Sequence, residues 1–260
     1  MQNPIQLIGR ATLGLFGEVG RLAVFAGRVK IAAVTPRWYG GEILRQMVRI
    51  GFYSLPVVGL AAVFIGAALA LNIYEGGSRY GAEQFVPSIV VLGITRELGV
   101  VITGLMLAGR VSAGIAAEIG AMRVTEQIDA LETLSASRYR YLYAPRFIAA
   151  LITLPMLVAL ADVIGVMGGW LVSVFGLGFD STVYLRNTLD FVTTNDILAG
   201  LIKAVVFGGV IAIMGCYQGD RSQAGATGVG RAATLSMVGA AVLILAFNYV
   251  MSTLFVEIGL

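Results

Sequence analysis

Two long stretches without a charged residue constrain this chain more than any other feature of its sequence. Residues 50–74 and 232–256 each run for 25 residues with no Asp, Glu, Lys or Arg. A helix needs about 20 predominantly apolar residues to cross the hydrocarbon core of a bilayer. Only 13% of the chain is charged, where a soluble domain has about 25%. The sequence therefore predicts an integral membrane protein, and it argues against a water-soluble enzyme, a nucleic-acid-binding protein or a disordered linker.

Three further apolar stretches are interrupted only by isolated charges. They are residues 84–117, 147–179 and 197–219, and the charges within them are Arg96, Glu97, Arg110, Asp162 and Lys203. Together with the two uncharged stretches, they predict an all-α integral membrane protein with five transmembrane helices and its termini on opposite sides. Ionisable residues inside a membrane usually face the bundle interior or a wet cavity, so we expect these intramembrane charges to face inward.

The N-terminal segment, residues 4–30, has an amphipathic rather than a continuously apolar pattern. One face is apolar and the other carries Arg10, Arg21 and Arg28; the apolar residues are Ile5, Ile8, Leu15, Phe16, Val19, Leu22, Ala23, Ala26 and Val29. A basic amphipathic helix of this kind lies in the membrane interface. The alternative is a cleaved signal peptide, but Glu18 and Arg21 break the apolar run that such a peptide needs. We therefore divide the chain into an interfacial helix and linker, residues 1–40, and a five-helix domain, residues 41–260.

Lysine and arginine are distributed unequally between the connections. Residues 1–49 contain seven of them, residues 118–146 four and residues 220–231 two, whereas residues 75–83 and 180–196 contain one each. Cytoplasmic loops carry the excess of positive residues in membrane proteins. We therefore predict a cytoplasmic N-terminus, a cytoplasmic central loop and a C-terminus on the outer side.

The central loop contains a second amphipathic segment, residues 124–134. Thr125 is placed to cap its N-terminus; Ile128, Leu131 and Leu134 share an apolar side, and Glu126, Asp129 and Glu132 line another. The apolar side can cover the bilayer surface, the ends of the chain's own helices or a cytoplasmic partner. Since an acidic face suits an anionic leaflet poorly, the pattern favours a protein partner.

Several kinds of chemistry are excluded by residues that the sequence lacks. It has no His and one Cys, which removes zinc sites built on these residues, haem ligation by His and Ser-His-Asp catalysis. The dipeptide Gly-Lys does not occur, so the chain has no Walker A loop. If the protein uses ATP, another chain must bind it, and we expect no cofactor, no metal site and no nucleic-acid partner.

Three segments resemble the MlaE family of ABC-transporter permeases. They read RELGV at 96–100, AGRVSAGIAAEIGAMRVTEQIDALETL at 108–134 and APRF at 144–147, and the likeness extends to FIG at 64–66 and IKAVVFG at 202–208. The resemblance implies a homodimer whose subunits each have an interfacial N-terminal helix, five transmembrane helices and a cytoplasmic coupling helix. It also implies phospholipid movement between the inner and outer membranes of a Gram-negative bacterium, which maintains outer-membrane lipid asymmetry.

The resemblance further implies the partners and the residues that serve them. A cytoplasmic ABC ATPase would dock on the coupling helix, a hexameric periplasmic MCE-domain protein would sit on the outer face, and a STAS-domain protein can bind the ATPase. The matching coupling residues are Arg123, Thr125, Glu126, Gln127, Asp129 and Leu131. The lipid path implied between the two subunits matches Leu69, Asn72, Ile73, Tyr80, Arg96 and Glu97.

Four of the lipid-path residues can also be explained by the structure of the bundle alone. Leu69 and Ile73 can simply face lipid or pack on a neighbouring helix. Arg96 and Glu97 are adjacent, so on a helix they do not face each other, and each can form a structural ion pair with another helix. Asn72 is less easily explained by packing, because a polar side chain in hydrocarbon needs a hydrogen-bond partner.

The chain departs from the family pattern at three positions within the spans. Val100 follows RELG where proline is common, which predicts a straighter second helix. Asn248 stands where many members have an acid, and Asp162 stands where an apolar residue is expected. We predict that Asp162 and Lys203 form an intramembrane ion pair that replaces the missing acid.

Two other functions are compatible with a polytopic membrane protein. Glu97, Asp162 and Lys203 would suit a secondary transporter driven by an ion gradient, although the sequence shows no inverted repeat. A membrane-embedded enzyme is the least supported, because the chain has no His and no clustered acid motif.

Overall fold

A computed structural model describes the backbone of residues 4–35 and 38–259. Five helical runs in this part of the chain are long and apolar enough to cross a membrane, and we call them spans 1 to 5. They are Gly40–Ser78, Glu83–Val124, Tyr139–Leu177, Thr194–Asp220 and Ala226–Ile258. Helices dominate the structure, and no strand occurs among the described residues. The prediction of an all-α protein with five membrane-crossing helices is confirmed.

The helices are numbered in chain order. Helix α1, Pro4–Val34, precedes the spans. Span 1 consists of α2 and α3, span 2 of α4, α5 and α6, and spans 3, 4 and 5 are built on α8, α10 and α11. The bounds of the span helices are α2 Gly40–Ile50, α3 Leu55–Ser78, α4 Val86–Gly93, α5 Gly99–Leu107, α6 Ala113–Val124, α8 Ala144–Leu177, α10 Thr194–Asp220 and α11 Ala226–Ile258. The two short connecting helices are α7, Gln127–Thr133, and α9, Ser181–Phe191.

Span 3 lies at the centre of the bundle. It packs against span 1 on one side and span 4 on the other, while span 2 packs against spans 4 and 5. Spans 1 and 3 approach through glycine: a Cβ atom on Gly66 would overlap the carbonyl group of Gly165. Small residues let helix backbones come this close in membrane bundles, so this pair sets the distance between the two spans.

Replacing Gly66 by Leu is expected to disrupt the fold. The new side chain would collide with the backbone of Gly165, which cannot move without displacing span 3. We expect the variant to lose most of its folded yield, because overpacking costs about 1–3 kcal/mol even where flexible side chains can yield. Size-exclusion chromatography in detergent measures the loss. The control is Gly76→Leu in the same helix, where an added Cβ meets nothing within 4 Å.

The two ends of the bundle differ in charge. We call the end formed by residues 13–35, 40–49, 118–146 and 217–231 the basic end, and the end formed by residues 75–86 and 178–196 the opposite end. The basic end is held by ion pairs between elements, including Arg49 with Glu118 and Arg138 with Asp220. Under the positive-inside rule, the basic end is the expected cytoplasmic end.

Helix α1 packs across the basic end. Phe25 lies with its ring centroid 5.8, 5.3 and 5.4 Å from those of Tyr139, Tyr143 and Tyr217. Val29 is buried beside it. The packing face therefore follows Leu22, Phe25 and Val29, whereas two residues of the predicted apolar face, Phe16 and Val19, are exposed. The side chains of Ile5, Ile8, Arg10 and Leu15 lie outside the described residues.

A carboxylate anchors the same helix to span 4. Glu18 accepts hydrogen bonds from Arg21 at 3.2 Å, from the Tyr217 hydroxyl at 2.6 Å and from Arg221 at 2.8 Å. Together these bonds lower the pKa of Glu18 to about 2, and the bond from Arg21 has the largest effect. The carboxylate thus stays charged, and the contact between α1 and α10 is retained down to strongly acidic pH.

The boundary between α6 and α7 differs from the sequence prediction. Thr125 is not the N-cap of the following helix, because its hydroxyl donates to the Ala121 carbonyl at 2.9 Å and so belongs to the end of α6. Glu126 follows with φ of 58°, in the left-handed region, and α7 begins at Gln127. The pattern predicted that Thr125 caps the second helix. Instead, the strained residue Glu126 separates α6 from α7.

Span 2 is interrupted by two π-helical turns, Ile94–Leu98 and Ala108–Ser112. The first ends two residues before Val100, the position where the sequence predicts a straighter helix. A π turn adds a residue to one helical turn and often marks a functional site. Both turns carry charges, namely Arg96, Glu97 and Arg110.

Candidate functional site

A polar cluster joins spans 2, 4 and 5 within the half of the bundle nearer the opposite end. Its centre is Lys203, whose side chain is only 2% exposed. The Lys203 Nζ atom donates to Glu97 Oε1 at 2.8 Å, to Ser252 Oγ at 2.8 Å and to the carbonyl oxygen of Arg96 at 3.0 Å. An ammonium group has three donors, and here each of them has an acceptor.

Glu97 completes the cluster with contacts from span 5. Its Oε2 atom accepts from Asn248 Nδ2 at 2.8 Å, and its Oε1 atom accepts from Ser252 Oγ at 2.7 Å. The Glu97 side chain remains 43% exposed. The carboxylate therefore bridges three spans and still presents part of its surface to the outside of the chain. Asn248 acts here as a hydrogen-bond donor to that carboxylate.

The predicted pair between Asp162 and Lys203 is wrong. Lys203 faces Glu97, and the Asp162 Oδ1 atom is buried with no hydrogen-bond partner among the described residues. Asp162 is 8% exposed and lies directly against Gly99 of span 2, where an added Cβ atom would overlap Oδ1. The expectation rested on equal depth along spans 3 and 4, but Lys203 contacts Glu97 of span 2, whereas Asp162 lies against Gly99.

Arg96 and Glu97 point to different partners, as expected for adjacent helical residues. The Arg96 Nε atom lies 2.8 Å from Asp196 Oδ1, and the Asp196 side chain is buried at the start of span 4. Asp196 also accepts from the backbone and hydroxyl of Thr193 in a capping box. The capping box fixes the carboxylate, which in turn holds the half-exposed guanidinium beside the Glu97 cluster.

The residues predicted for the lipid path in span 1 and just after it separate into two groups. Leu69 and Ile73 are partly buried against a small apolar core beneath α9, formed by Ala70, Val86, Val90, Ile94 and Tyr184. Asn72 is exposed and its amide donates to the Ala68 carbonyl at 2.9 Å. Tyr80 is 87% exposed. The first pair is thus engaged in packing, whereas Asn72 and Tyr80 lie on open surface.

The groove between spans 1, 2 and 3 is too small for a lipid. It is lined by apolar side chains including Ile65, Leu98 and Ile102, and its internal volume is about 20 Å³. Such a volume holds about one water molecule. The described residues therefore leave no room for a lipid inside this groove.

The predicted coupling residues lie at the basic end around α7. Ile128 is fully buried and Leu131 partly buried against the bundle, while Glu126, Gln127 and Asp129 are exposed. Arg123 reaches over to Asp129, with 2.8 Å between Nη1 and Oδ1. The apolar side of α7 is thus covered by the chain's own helices, and its acidic side remains open.

Sequence reasoning missed three residues of these networks: Ser252, Asp196 and Glu118. Ser252 stands four residues after Asn248, on the same face of α11, and this spacing was the available signal. Asp196 and Glu118 lie near span ends, where a carboxylate in the sequence does not indicate a specific contact. Glu118 contacts Arg49 at 2.7 Å and Arg146 at 3.2 Å, and only the packing of three spans brings these residues together.

The segments that resemble a known family lie within the part of the chain that a family model matches. The family model described as Permease MlaE matches residues 43–254, which include all five membrane-crossing runs almost entirely. The chain belongs to the MlaE permease family. It is accordingly a multi-pass membrane protein, and its relatives are named as ABC transporter permease proteins.

Relatives of this MlaE permease occur in distant organisms. A probable ABC transporter permease protein of Rickettsia bellii is 49% identical over 98% of this chain and 99% of its own length. The intermembrane phospholipid transport system permease protein MlaE of Haemophilus influenzae is 32% identical over 99% of both chains. The chloroplastic protein trigalactosyldiacylglycerol 1 of Arabidopsis thaliana is 31% identical over 90% of this chain and 67% of its own length.

Proposed function

We propose that this chain is the permease subunit of an ATP-driven ABC transporter that moves phospholipids between the inner and outer membranes of a Gram-negative bacterium, and so maintains outer-membrane lipid asymmetry. The observation that carries the proposal is the full-length match to the Haemophilus influenzae phospholipid permease. The chain acts as a homodimer in the inner membrane, with residues 1–40 as its interfacial segment and residues 41–260 as its permease domain.

The basic end faces the cytoplasm in this proposal, and the ABC ATPase binds there. Support comes from the distribution of Lys and Arg and from α7, which is anchored by buried Ile128 and exposes Glu126, Gln127 and Asp129. An anchored helix with an open charged side transmits force to the bundle without unfolding. The ATPase can carry a STAS-domain protein, and a hexameric MCE-domain protein sits on the opposite, periplasmic end.

The lipid passes along the half of the bundle nearer the opposite end. Arg96 and Glu97 contact the headgroup there, because both side chains are about half exposed and both are held in place by buried partners, Asp196 and Lys203. The acyl chains follow span 1 past Leu69, Asn72 and Ile73 toward Tyr80. The second subunit supplies the rest of the cavity, since the groove within one chain has room for about one water molecule.

Photo-crosslinking tests this path. A photoreactive amino acid at Asn72 or Tyr80 is expected to capture phospholipid several times more efficiently than one at Leu245, because the first two positions border the proposed cavity and Leu245 is an exposed residue of span 5. The measurement is the fraction of protein carrying crosslinked phospholipid, determined by mass spectrometry after irradiation in native membranes. Equal capture at the three positions would show contact with bulk lipid only and would contradict the path.

A further inference from the structure

A charged cavity lies at the basic end, away from the proposed lipid path. It is formed between α2 of span 1 and the inner part of span 2, and its volume is about 210 Å³. On the same measure, roughly 10–15 Å³ holds one water molecule, so this cavity has room for a much larger group. The lining residues are Gln46, Arg49, Ile50, Arg110, Val111, Gly114, Ile115 and Glu118. Neither the amphipathic segment 124–134 nor the polar cluster around Glu97 contributes to it.

The charges around this cavity do not balance. Glu118 accepts from Arg49 at 2.7 Å and from Arg146 at 3.2 Å, so its negative charge is already shared between two guanidinium groups. Arg110 donates to the hydroxyl of Ser54 and forms no ion pair with any residue that the structure describes. The lining residues Arg49, Arg110 and Glu118 therefore carry a formal excess of one positive charge, and Arg146 adds a second positive charge on the far side of Glu118.

The position of Arg110 makes this imbalance costly. Arg110 stands eight residues from Glu118 along span 2, about 12 Å deeper in the bundle at 1.5 Å per residue. It lies on the π turn Ala108–Ser112. An arginine within a membrane-crossing helix requires a counter-charge or water. A bound anion would supply the counter-charge, and a phosphate group suits the planar guanidinium fork because it accepts two parallel hydrogen bonds.

The floor of the cavity indicates what carries the phosphate. Ile50, Val111 and Ile115 are buried apolar residues that line the same cavity as the two arginines. A free inorganic phosphate gains nothing from such a floor, whereas the glycerol and upper acyl carbons of a lipid bury apolar surface there. We propose that this cavity binds the phosphate group of a phospholipid from the leaflet at the basic end, with Arg49 and Arg110 as its ligands. The proposal concerns binding and holds whether or not the bound lipid is the transported one.

Native mass spectrometry of the full-length chain in detergent, titrated with phosphatidylglycerol, tests the site. Arg110→Gln and Arg49→Gln are each expected to weaken phosphatidylglycerol binding about tenfold, because each removes a charge-assisted contact. The matched control is Arg45→Gln on the same helix, since Arg45 is exposed, pairs with Glu42 and lies outside the cavity. Unchanged binding in both cavity variants would overturn the proposal.

A steric variant tests the site without removing a charge and without an expected change in folding. An added Cβ on Gly114 meets nothing within 4 Å, so Gly114→Leu can fill the cavity while both arginines remain. We expect this variant to keep its melting temperature and to lose phosphatidylglycerol binding about tenfold or more. If it binds phosphatidylglycerol like the unmodified chain, the cavity is not the site.

Two competitors distinguish the source of the phosphate. Dioctanoylglycerol, which has acyl chains and no phosphate, is expected to displace phosphatidylglycerol poorly, and inorganic phosphate is expected to compete only at far higher concentration. Displacement by dioctanoylglycerol as effective as by unlabelled phosphatidylglycerol would mean that the site recognises acyl chains alone. Competition by inorganic phosphate at equal concentration would mean that free phosphate is the ligand. Either result overturns the assignment, and neither bears on ATP-driven transport.

Discussion

Lys203→Met is expected to destabilise the folded protein by about 2–3 kcal/mol. Lys203 is almost fully buried and satisfies Glu97, Ser252 and the Arg96 carbonyl together. Breaking a fully buried pair costs about 3–5 kcal/mol, because the remaining charge has lost its partner. Since the Glu97 side chain is 43% exposed, water screens part of that loss. Thermal unfolding in detergent measures the decrease.

A double-mutant cycle identifies the partner of Lys203. Glu97→Gln combined with Lys203→Met is expected to recover most of the loss, because both charges disappear and the new glutamine amide can still bond to the side chains of Asn248 and Ser252. The matched control is Asp162→Asn, which should be additive with Lys203→Met, since additivity holds for residues that share no partner. Coupling of Lys203 to Asp162 rather than to Glu97 would contradict the observed pairing.

Charge reversal on the amphipathic segment 124–134 is expected to release the ATPase. Glu126 and Asp129 are exposed at the basic end, and replacing both by Lys changes the charge beside the proposed ATPase surface by four units. Like charges facing each other across an interface cost several kcal/mol, so we expect about a hundredfold weaker binding of the ATPase or more. Co-purification after mild detergent extraction, followed by a titration of ATPase, measures the effect.

The fold should survive this change, because buried Ile128 still anchors α7. Replacing Asp129 also removes its exposed pair with Arg123, which contributes at most about 1 kcal/mol. The matched control reverses two exposed charges at the opposite end, Glu75→Lys with Asp190→Lys, and should leave ATPase binding unchanged. Normal co-purification of the Glu126 and Asp129 variant would exclude α7 as the docking site.

Hydrophobic patterning located the spans because a bilayer imposes one simple requirement on each of them. About 20 apolar residues are needed whatever the neighbours are, so stretches such as 50–74 were recognisable in isolation. The burial of Ile128 followed from helical spacing for the same reason. Leu134 did not follow the pattern, because α7 ends at Thr133 and the leucine beyond it is exposed.

The polar contacts could not be predicted in the same way, because they depend on which side of a helix each residue faces. The π turn Ile94–Leu98 changes the helical register of span 2 at the very residues that carry Arg96 and Glu97. Depth along the chain therefore predicted Asp162 as the partner of Lys203. The direction that each helix face points instead places Glu97 beside Lys203. The packing of span 1 against span 3, through Gly66 and Gly165, likewise determines which surfaces remain open.

Transport in proteoliposomes tests the proposed function most directly. The chain, reconstituted with its ATPase and with the MCE-domain protein at the opposite end, is expected to move fluorescent phospholipid only when ATP is present. A pH gradient alone should give no movement, because the chain would be the permease part of an ATP-driven system. Phospholipid movement driven by the pH gradient without ATP would contradict that function and would instead support a secondary transporter using Glu97, Asp162 and Lys203.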